Sequence, residues 1–332
     1  MLSLPRSLLS SLVKVLGYCA VLAGILIALH FPTGVDSEVA PTSMAEEADT
    51  FYEAAYTEPP GGGDSIYVAT AQMVAHSENI VPRLEAFTRQ FQLQQARTLE
   101  VGAGSGSLQD LVEDYTGLDI AASAARYFHK PFVHGSATAL PFKDSEFDVC
   151  WTIWTLEHVP NPEQALKEMR RVVLSGGYLY LQPAWNNATW APYAYPRRPN
   201  SDLTRWEVMV KYSLLLREQP WFKTIYRYPT RAVRLAATRL AGPSRLRYHK
   251  IDANFNTYLM PDSDAVNSID CYEAELWFRS RGDEIVDFGS DGMGIGRECG
   301  TVVVRVNKKE QATARRLAPK IESVEAGVRG AN

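Results

Sequence analysis

Apolar positions along this chain switch between two spacings, and the switching predicts a layered fold. "ARTLEVG", residues 96–102, is a short apolar run ahead of a glycine loop and reads as a buried strand. "YTGLDI" (115–120), "FDVCWTIW" (147–154) and "GGYLYLQP" (176–183) read the same way. Helical spacing appears before the first strand, at Met73, Ile80, Leu84 and Phe87, and is expected to begin again at Leu108 and Leu111. It returns in "NPEQALKEMRRVV" (161–173), where Leu166, Met169 and Val173 form the stripe. There Asn161 can cap the helix, Pro162 suits its first turn and Gln164 can close a capping box. "SIDCYEAELWFRSRG" (268–282) predicts a helix with Ile269, Tyr272 and Leu276 inward, stopped by Gly282. "DEIVDFG" (283–289) and "GTVVVRV" (300–306) then predict an antiparallel hairpin that closes the sheet. Strands alternating with helices predict an α/β fold with a doubly wound, mostly parallel sheet. Ligands of such sheets bind at the carboxyl ends of the strands.

The N-terminus follows another pattern. Residues 15–31 are apolar apart from His30, and Arg6 and Lys14 precede them. Seventeen helical residues span about 26 Å, at the short edge of what crosses a bilayer. Residues 1–34 are expected to be a single-pass membrane anchor, with a cleaved signal peptide or a transit peptide as alternatives. Basic residues before the segment favour a cytoplasmic N-terminus and a main domain on the far side. Residues 35–65, rich in Pro, Gly and acids, read as a linker, residues 66–306 as one domain, and residues 307–332 as a polar tail.

Composition adds mainly exclusions. The 332 residues are 46% hydrophobic and 22% charged, ordinary for a globular chain, and the net charge of -4 names no partner. The four cysteines, Cys19, Cys150, Cys271 and Cys299, are widely spaced without a CxxC pair. They predict neither a disulfide framework nor a zinc site, and no metal is expected. The missing disulfide pattern favours a reducing compartment, against the charge rule. "NAT" at Asn187 is a short glycosylation match.

Chemistry concentrates in "TLEVGAGSGSLQDL" (98–111). Gly102, Gly104 and Gly106 let the backbone turn sharply and approach a ligand. Their spacing is GxGxG, and Ser107 stands where the dinucleotide fingerprint needs its third glycine, which argues against an NAD(P)-dependent oxidoreductase. Asp119 ends the second strand, where a carboxylate can accept from two ribose hydroxyls. Glu100 adds a second negative charge. Two carboxylates repel a pyrophosphate and suit a cationic nucleoside.

These residues resemble class I S-adenosylmethionine-dependent methyltransferases of the group called type 11. "LEVGAGSGSL" is similar to the family's first motif and "GLDI" to its acidic second strand, while residues 135–183 follow the rest of its core, with "ALPF", "FDV" and "LEHV" in order. The likeness covers roughly residues 96–183. It implies a seven-stranded Rossmann-like sheet and S-adenosylmethionine as cofactor. Gly102, Gly104 and Gly106 would lie under the methionine part, and Glu100 would orient its ammonium. Asp119 would hold the ribose, Ile120 would pack on the adenine, Ser136 and Ala137 would line its edge, and Thr152 would face the cofactor. Ser136 stands where the family commonly carries aspartate. Glu157 and His158 read first as packing at a helix start, with an acid–base role as the alternative, so no catalytic residue is assigned.

About 80 residues, 184–266, separate the last parallel strand from the C-terminal helix and are expected to form a substrate cap. Arg197 to Lys250 holds 13 Lys or Arg against three acids, interleaved with Trp206, Tyr212, Trp221, Phe222, Tyr226 and Tyr228. The first reading is a basic helix pair with its aromatics in the core; the second is a surface for anionic lipid headgroups. Nucleic acid is disfavoured beside an anchor. The expected function is methyl transfer to a small-molecule or lipid-like acceptor that is amphiphilic or membrane-resident; the alternative is a catalytically silent binding module or scaffold.

Overall fold

The structure, a computed structural model, describes residues 6–30, 42–241, 245–257, 260–289, 292 and 294–308. Residues 35–41 of the expected linker and 309–332 of the expected tail lie outside the described residues. A seven-stranded sheet forms the centre. Its five parallel strands are β1 (Thr98–Val101), β2 (Tyr115–Asp119), β3 (Phe132–His134), β4 (Phe147–Ile153) and β5 (Val173–Gln182). A two-stranded ribbon lies in the insertion, β6 (Tyr248–Lys250) and β7 (Asn267–Ile269). The C-terminal hairpin, β8 (Glu284–Val286) and β9 (Val302–Arg305), joins antiparallel to β5. The sheet order is β3-β2-β1-β4-β5-β9-β8, so the order reverses between β1 and β4 and opens a crevice at their carboxyl ends. The doubly wound, mostly parallel sheet is therefore as expected.

Eight helices are found among the described residues: α1 (Arg6–His30), α2 (Thr42–Tyr56), α3 (Ile66–Ser77), α4 (Ile80–Gln90), α5 (Pro162–Val172), α6 (Arg205–Arg217), α7 (Pro220–Ala241) and α8 (Cys271–Arg279). Alternation along β4 feeds two cores. Val149 and Trp151 join Ile80, Leu84 and Phe87 of α4 on one face. Cys150 joins Leu166 and Met169 of α5 and Trp277 and Phe278 of α8 on the other. Arg170 of α5 clamps the hairpin: its Nε and one terminal nitrogen meet the Asp283 carboxylate at 2.6 and 3.0 Å, nearly out of solvent. Asn161 caps α5, accepting from Gln164 N at 3.2 Å, as its sequence predicts.

Four expectations change. The helix expected from Leu108 is a single 3-10 turn, Gln109–Leu111, because only 13 residues separate β1 from β2 and the glycine loop consumes the first of them. The expected linker holds α2, whose Ala48 and Tyr52 are buried with Ala121 and Ala124. The C-terminal helix starts at Cys271 because Asp270 caps it, accepting from Tyr272 N, which leaves the buried Ile269 in β7. Cys271 and Cys299 form a disulfide across 28 residues, against the expectation of unpaired thiols. Their pairing depends on α8 and the loop before β9 folding together, which residue spacing does not reveal. The disulfide also removes the argument for a reducing compartment.

The insertion carries its own stop signals. Thr204 and Glu207 form a reciprocal capping box at the start of α6. Thr204→Ala should cost about 1 kcal/mol of local stability, read as faster amide exchange in the first turns of α6. Unchanged exchange there would mean that tertiary contacts alone hold the helix.

Candidate functional site

Two cavities open at the carboxyl ends of β1 and β4. The first, about 410 Å³, is lined by Asp119, Ile120, Ser136, Ala137, Thr155 and the tyrosines of α2. The second, about 450 Å³, is lined by Glu100, Gly104, Ser105, Gln182, Asp262 and Asp264 among others. Tyr56, Tyr67, Gly102, Trp154 and His158 line both, so the two cavities adjoin at these residues. Such volumes suit a small-molecule ligand site.

The glycine loop is built by backbone pairing. Gly102 N and Ala103 N donate to Leu118 O at 2.8 and 3.0 Å, which ties the loop to the end of β2. Gly102 has φ +74°, and a Cβ there would lie 2.2 Å from the Thr155 side chain, so glycine is required twice over. Asp119 pins the same loop. Its Oδ2 accepts from Gly104 N at 2.8 Å and its Oδ1 from Ala121 N at 3.0 Å. A carboxylate has about four acceptor positions, so these donors do not exhaust it, and Asp119 lines the first cavity. Burial raises Asp119 above the usual carboxylate range despite these donors.

Glu100 lies nearly buried behind the loop and accepts from the Tyr115 hydroxyl. Burial pushes it up to about 8, the Tyr115 bond offsetting part of the shift. At neutral pH this carboxyl is therefore largely protonated. A carboxyl whose folded pKa is raised favours folding most at low pH. Its contribution fades as pH rises from the ordinary 4.5 through about 8.

Most expected site residues meet here. Gly102 touches both cavities, Glu100 and Gly104 the second, and Asp119, Ile120, Ser136 and Ala137 the first. Ser136 turns its hydroxyl toward Thr138 Oγ1, 2.9 Å away. Gly106 lines neither cavity; a Cβ there would press on Gln109 and Phe128, so it serves the loop's packing. Thr152 is also displaced from its expected place. It is 1% exposed and lines neither cavity. Alternation along β4 puts it on the Cys150 face, and Trp154 and Thr155 reach the crevice instead. Trp154 is left-handed at φ 47°, an uncommon backbone state for a bulky residue, right where the cavities join.

The sequence reading missed the tyrosines. Tyr52 and Tyr56 of α2 and Tyr67 of α3 meet edge to face, with centroids 5.9–6.0 Å apart for the two pairs with Tyr67. A Cβ on Gly104 would lie 2.7 Å from the Tyr56 hydroxyl, so α2 closes directly onto the loop. Ala48, Tyr52 and Tyr56 stand at i, i+4 and i+8, a helical face that the acidic composition around it concealed. Burial holds Tyr52 and Tyr56 neutral, well above the usual tyrosine value.

The same tyrosines bring His158 to the cavity with acidic company. Tyr52 donates to Asp264 Oδ2 at 2.8 Å, and that oxygen lies 3.5 Å from His158 Nδ1. Glu157 Oε1 is 3.9 Å from His158 Nε2, and Glu157 Oε2 and His158 Nδ1 are buried without a hydrogen-bond partner. Burial pushes Glu157 up to about 7, with His158 opposing the shift. Burial lowers His158, but Asp264, Glu157 and Asp262 outweigh it and leave the imidazole above its ordinary value. Asn267 of β7 locks this turn by donating to Leu156 O and Val159 O, both at 2.8 Å. Two groupings among the described residues bring metal-ligand atoms within 4.8 Å of one another. Glu157, His158 and Asp262 stand at the cavity, while Asp270, Cys271 and Cys299 are engaged at the disulfide.

Residues 99–181 match the family model "Methyltransferase domain". A demethylmenaquinone methyltransferase of Renibacterium salmoninarum is 35% identical over 107 residues, 29% of this chain and 44% of that protein. The sterol 4-C-methyltransferase strm-1 of Caenorhabditis elegans is 31% identical over 94 residues, 24% of this chain and 28% of its own length. A phthiotriol/phenolphthiotriol dimycocerosates methyltransferase of Mycobacterium tuberculosis is 31% identical over 124 residues, 33% of this chain and 41% of the relative. The chain thus spans less than half the length of each of these relatives.

Proposed function

We propose, for a chain that carries a class I S-adenosylmethionine-dependent methyltransferase domain, that it transfers a methyl group from S-adenosylmethionine to an amphiphilic, membrane-resident acceptor. The pair of adjoining cavities that share Gly102 and His158 carries this reading. One half offers Asp119 to a ribose and Ile120, Ser136 and Ala137 to an adenine; the other offers Glu100 and the glycine loop to a charged tail. Bound S-adenosylmethionine would supply an already activated methyl group. Placement, exclusion of water and removal of a proton are then left to the protein.

The tyrosines of α2 and α3 wall the site from solvent, and their ring faces attract a cation. His158 is proposed as the base that takes the acceptor's proton as the bond to the methyl forms. Asp264, held by Tyr52, then stabilises the imidazolium. The acceptor class is supported by α1, whose residues Ser10–Ala28 form an apolar helix long enough to cross a membrane, and by the relatives named for menaquinone, sterol and mycocerosate substrates. The anchor is proposed to attach the chain to the membrane that holds the acceptor. The silent-scaffold alternative is disfavoured by relatives named as methyltransferases and by retention of the ribose carboxylate and the glycine loop.

The test is transfer of labelled methyl from S-adenosylmethionine into membrane lipid extract by the full chain. Label in the organic phase supports the proposal; cofactor binding without transfer to any extract returns the scaffold reading. Binding is also expected to release a proton near pH 7. A cation beside Glu100 lowers its pKa from about 8, and affinity should rise with pH toward that value. Calorimetry in two buffers of different ionisation enthalpy measures this, and identical heats would remove Glu100 from the cation's vicinity.

A further inference from the structure

The insertion buries Phe222 but leaves Trp206, Tyr212, Trp221 and Tyr228 exposed, unlike a basic helix pair with its aromatics in the core. On α7, Trp221, Ile225 and Tyr228 are exposed and follow one another at i, i+4 and i+7 along one face, and Leu240 near the helix end is 89% exposed. On α6, Trp206, Met209, Tyr212 and Leu216 make a second exposed apolar stripe. Neither face can simply roll inward. The opposite side of α7 is bolted to α8 and its cap by Arg231 on Asp270, at 2.6 and 2.9 Å, and by Arg234 on Glu273, at 2.6 and 2.8 Å. Phe222, Val210 and Leu214 already fill the inward side of the pair.

Two observations identify what covers this face. The first is charge: the segment from Arg197 to Lys250 carries a balance of +10 inside a chain of net charge -4, and Arg197, Arg205 and Arg239 are exposed around the apolar stripes. The second is position. α6 packs against α1, the exposed apolar helix, whose half-buried residues Ala23, Leu26 and Ile27 lie toward its C-terminal end. An apolar stripe with a basic border, beside a helix able to cross a bilayer, has the chemistry of a surface that lies in the headgroup layer.

We infer that the outer face of α6 and α7 is a membrane-interface surface that seats on an anionic bilayer where α1 enters it. Trp206 and Trp221 sit at headgroup depth, Met209 and Ile225 reach the acyl boundary, and the arginines meet lipid phosphates. The inference rests on the anchor role proposed for α1 only for where the bilayer lies, so the two are tested separately.

The full chain is reconstituted into vesicles of phosphatidylcholine with phosphatidylglycerol, and tryptophan emission is quenched with brominated lipid. The expected result is strong quenching that mostly disappears in a Trp206→Phe/Trp221→Phe variant, which retains the other five tryptophans. Quenching at these positions should weaken in pure phosphatidylcholine or high salt. A Met209→Asp/Ile225→Asp variant should lose it while still binding S-adenosylmethionine. Alkaline carbonate extraction reads α1 independently. Resistance to extraction with Trp206 and Trp221 unquenched would leave the anchor standing and overturn the interface. Extraction together with salt-sensitive quenching would keep the interface and remove the anchor. Protection of α7 that appears in detergent and grows with protein concentration would identify a second copy as the occupant, and would also overturn the proposal.

Discussion

Asp119→Ala should abolish measurable binding of S-adenosylmethionine. The carboxylate acts twice: it is the acceptor offered to the ribose, and it holds the glycine loop through Gly104 N and the following turn through Ala121 N. Each hydrogen bond to a buried charged group is worth about 1.5–3 kcal/mol. Losing the ribose contacts and loosening the loop together should weaken binding by roughly 10²–10⁴-fold. Asp119→Asn separates the two roles. Its amide oxygen can still accept from Gly104 N, so the glycine loop is retained, while the bond from Ala121 N and the charge-assisted ribose contacts are lost, and affinity should fall between parent and alanine variant. Calorimetry on the folded variants measures both. An alanine variant that binds within a few-fold of the parent would remove Asp119 from the ribose, and with it the assignment of the first cavity.

His158→Ala should lower kcat by about 10²–10⁴-fold and leave cofactor affinity nearly unchanged, the range found for a positioned general base. The pH profile gives the sharper test. A base must be neutral to accept a proton. Asp264, Glu157 and Asp262 raise the imidazole pKa against the effect of burial, so activity should rise with pH through a value above the ordinary one for histidine. Asp264→Asn removes the leading carboxylate. It should move the rising limb to lower pH while also slowing the step, because the imidazolium formed is less stabilised. Tyr52→Phe acts through Asp264 and should have a smaller effect in the same sense, since Asp264 would lose the hydroxyl that orients it. A limb that stays in place in all three variants would assign the titration to another group and return His158 to a packing role.

The proposed membrane attachment would give the acceptor a route that the fold alone does not explain. α2 closes the cofactor crevice with Tyr52 and Tyr56, and only residues 31–41 separate it from α1. The helix that walls the site thus follows closely on the helix proposed to enter the bilayer.

Four of the five parallel strands and the closing hairpin were legible in order because local chemistry decides them; β3, an edge strand of three residues, was not. Apolar runs of four to seven residues, GxGxG after "TLEV" and a charged residue ending the second strand need no distant partner to be recognised. The capped helix after "LEHV" was equally plain, since Asn161 and Pro162 act within one turn. What tertiary structure decided lies where partners are far apart in sequence. Thr152 lost its expected place to Trp154 and Thr155 because strand alternation, set by the two cores, turns it away from the crevice. Tyr52 gained a role through Asp264, 212 residues away. Cys271 and Cys299 meet only after α8 and the final hairpin are in place. In the insertion, spacing showed helices, but composition could not say which aromatics are inside; the Arg231–Asp270 and Arg234–Glu273 pairs fix the orientation of α7 and leave Trp221 and Ile225 outside. Short-range patterning therefore specified most of the core elements and the cofactor loop, but not α2 or β3. Packing and buried charge pairs, which act across the whole chain, decided which side chains face the site and which face outward.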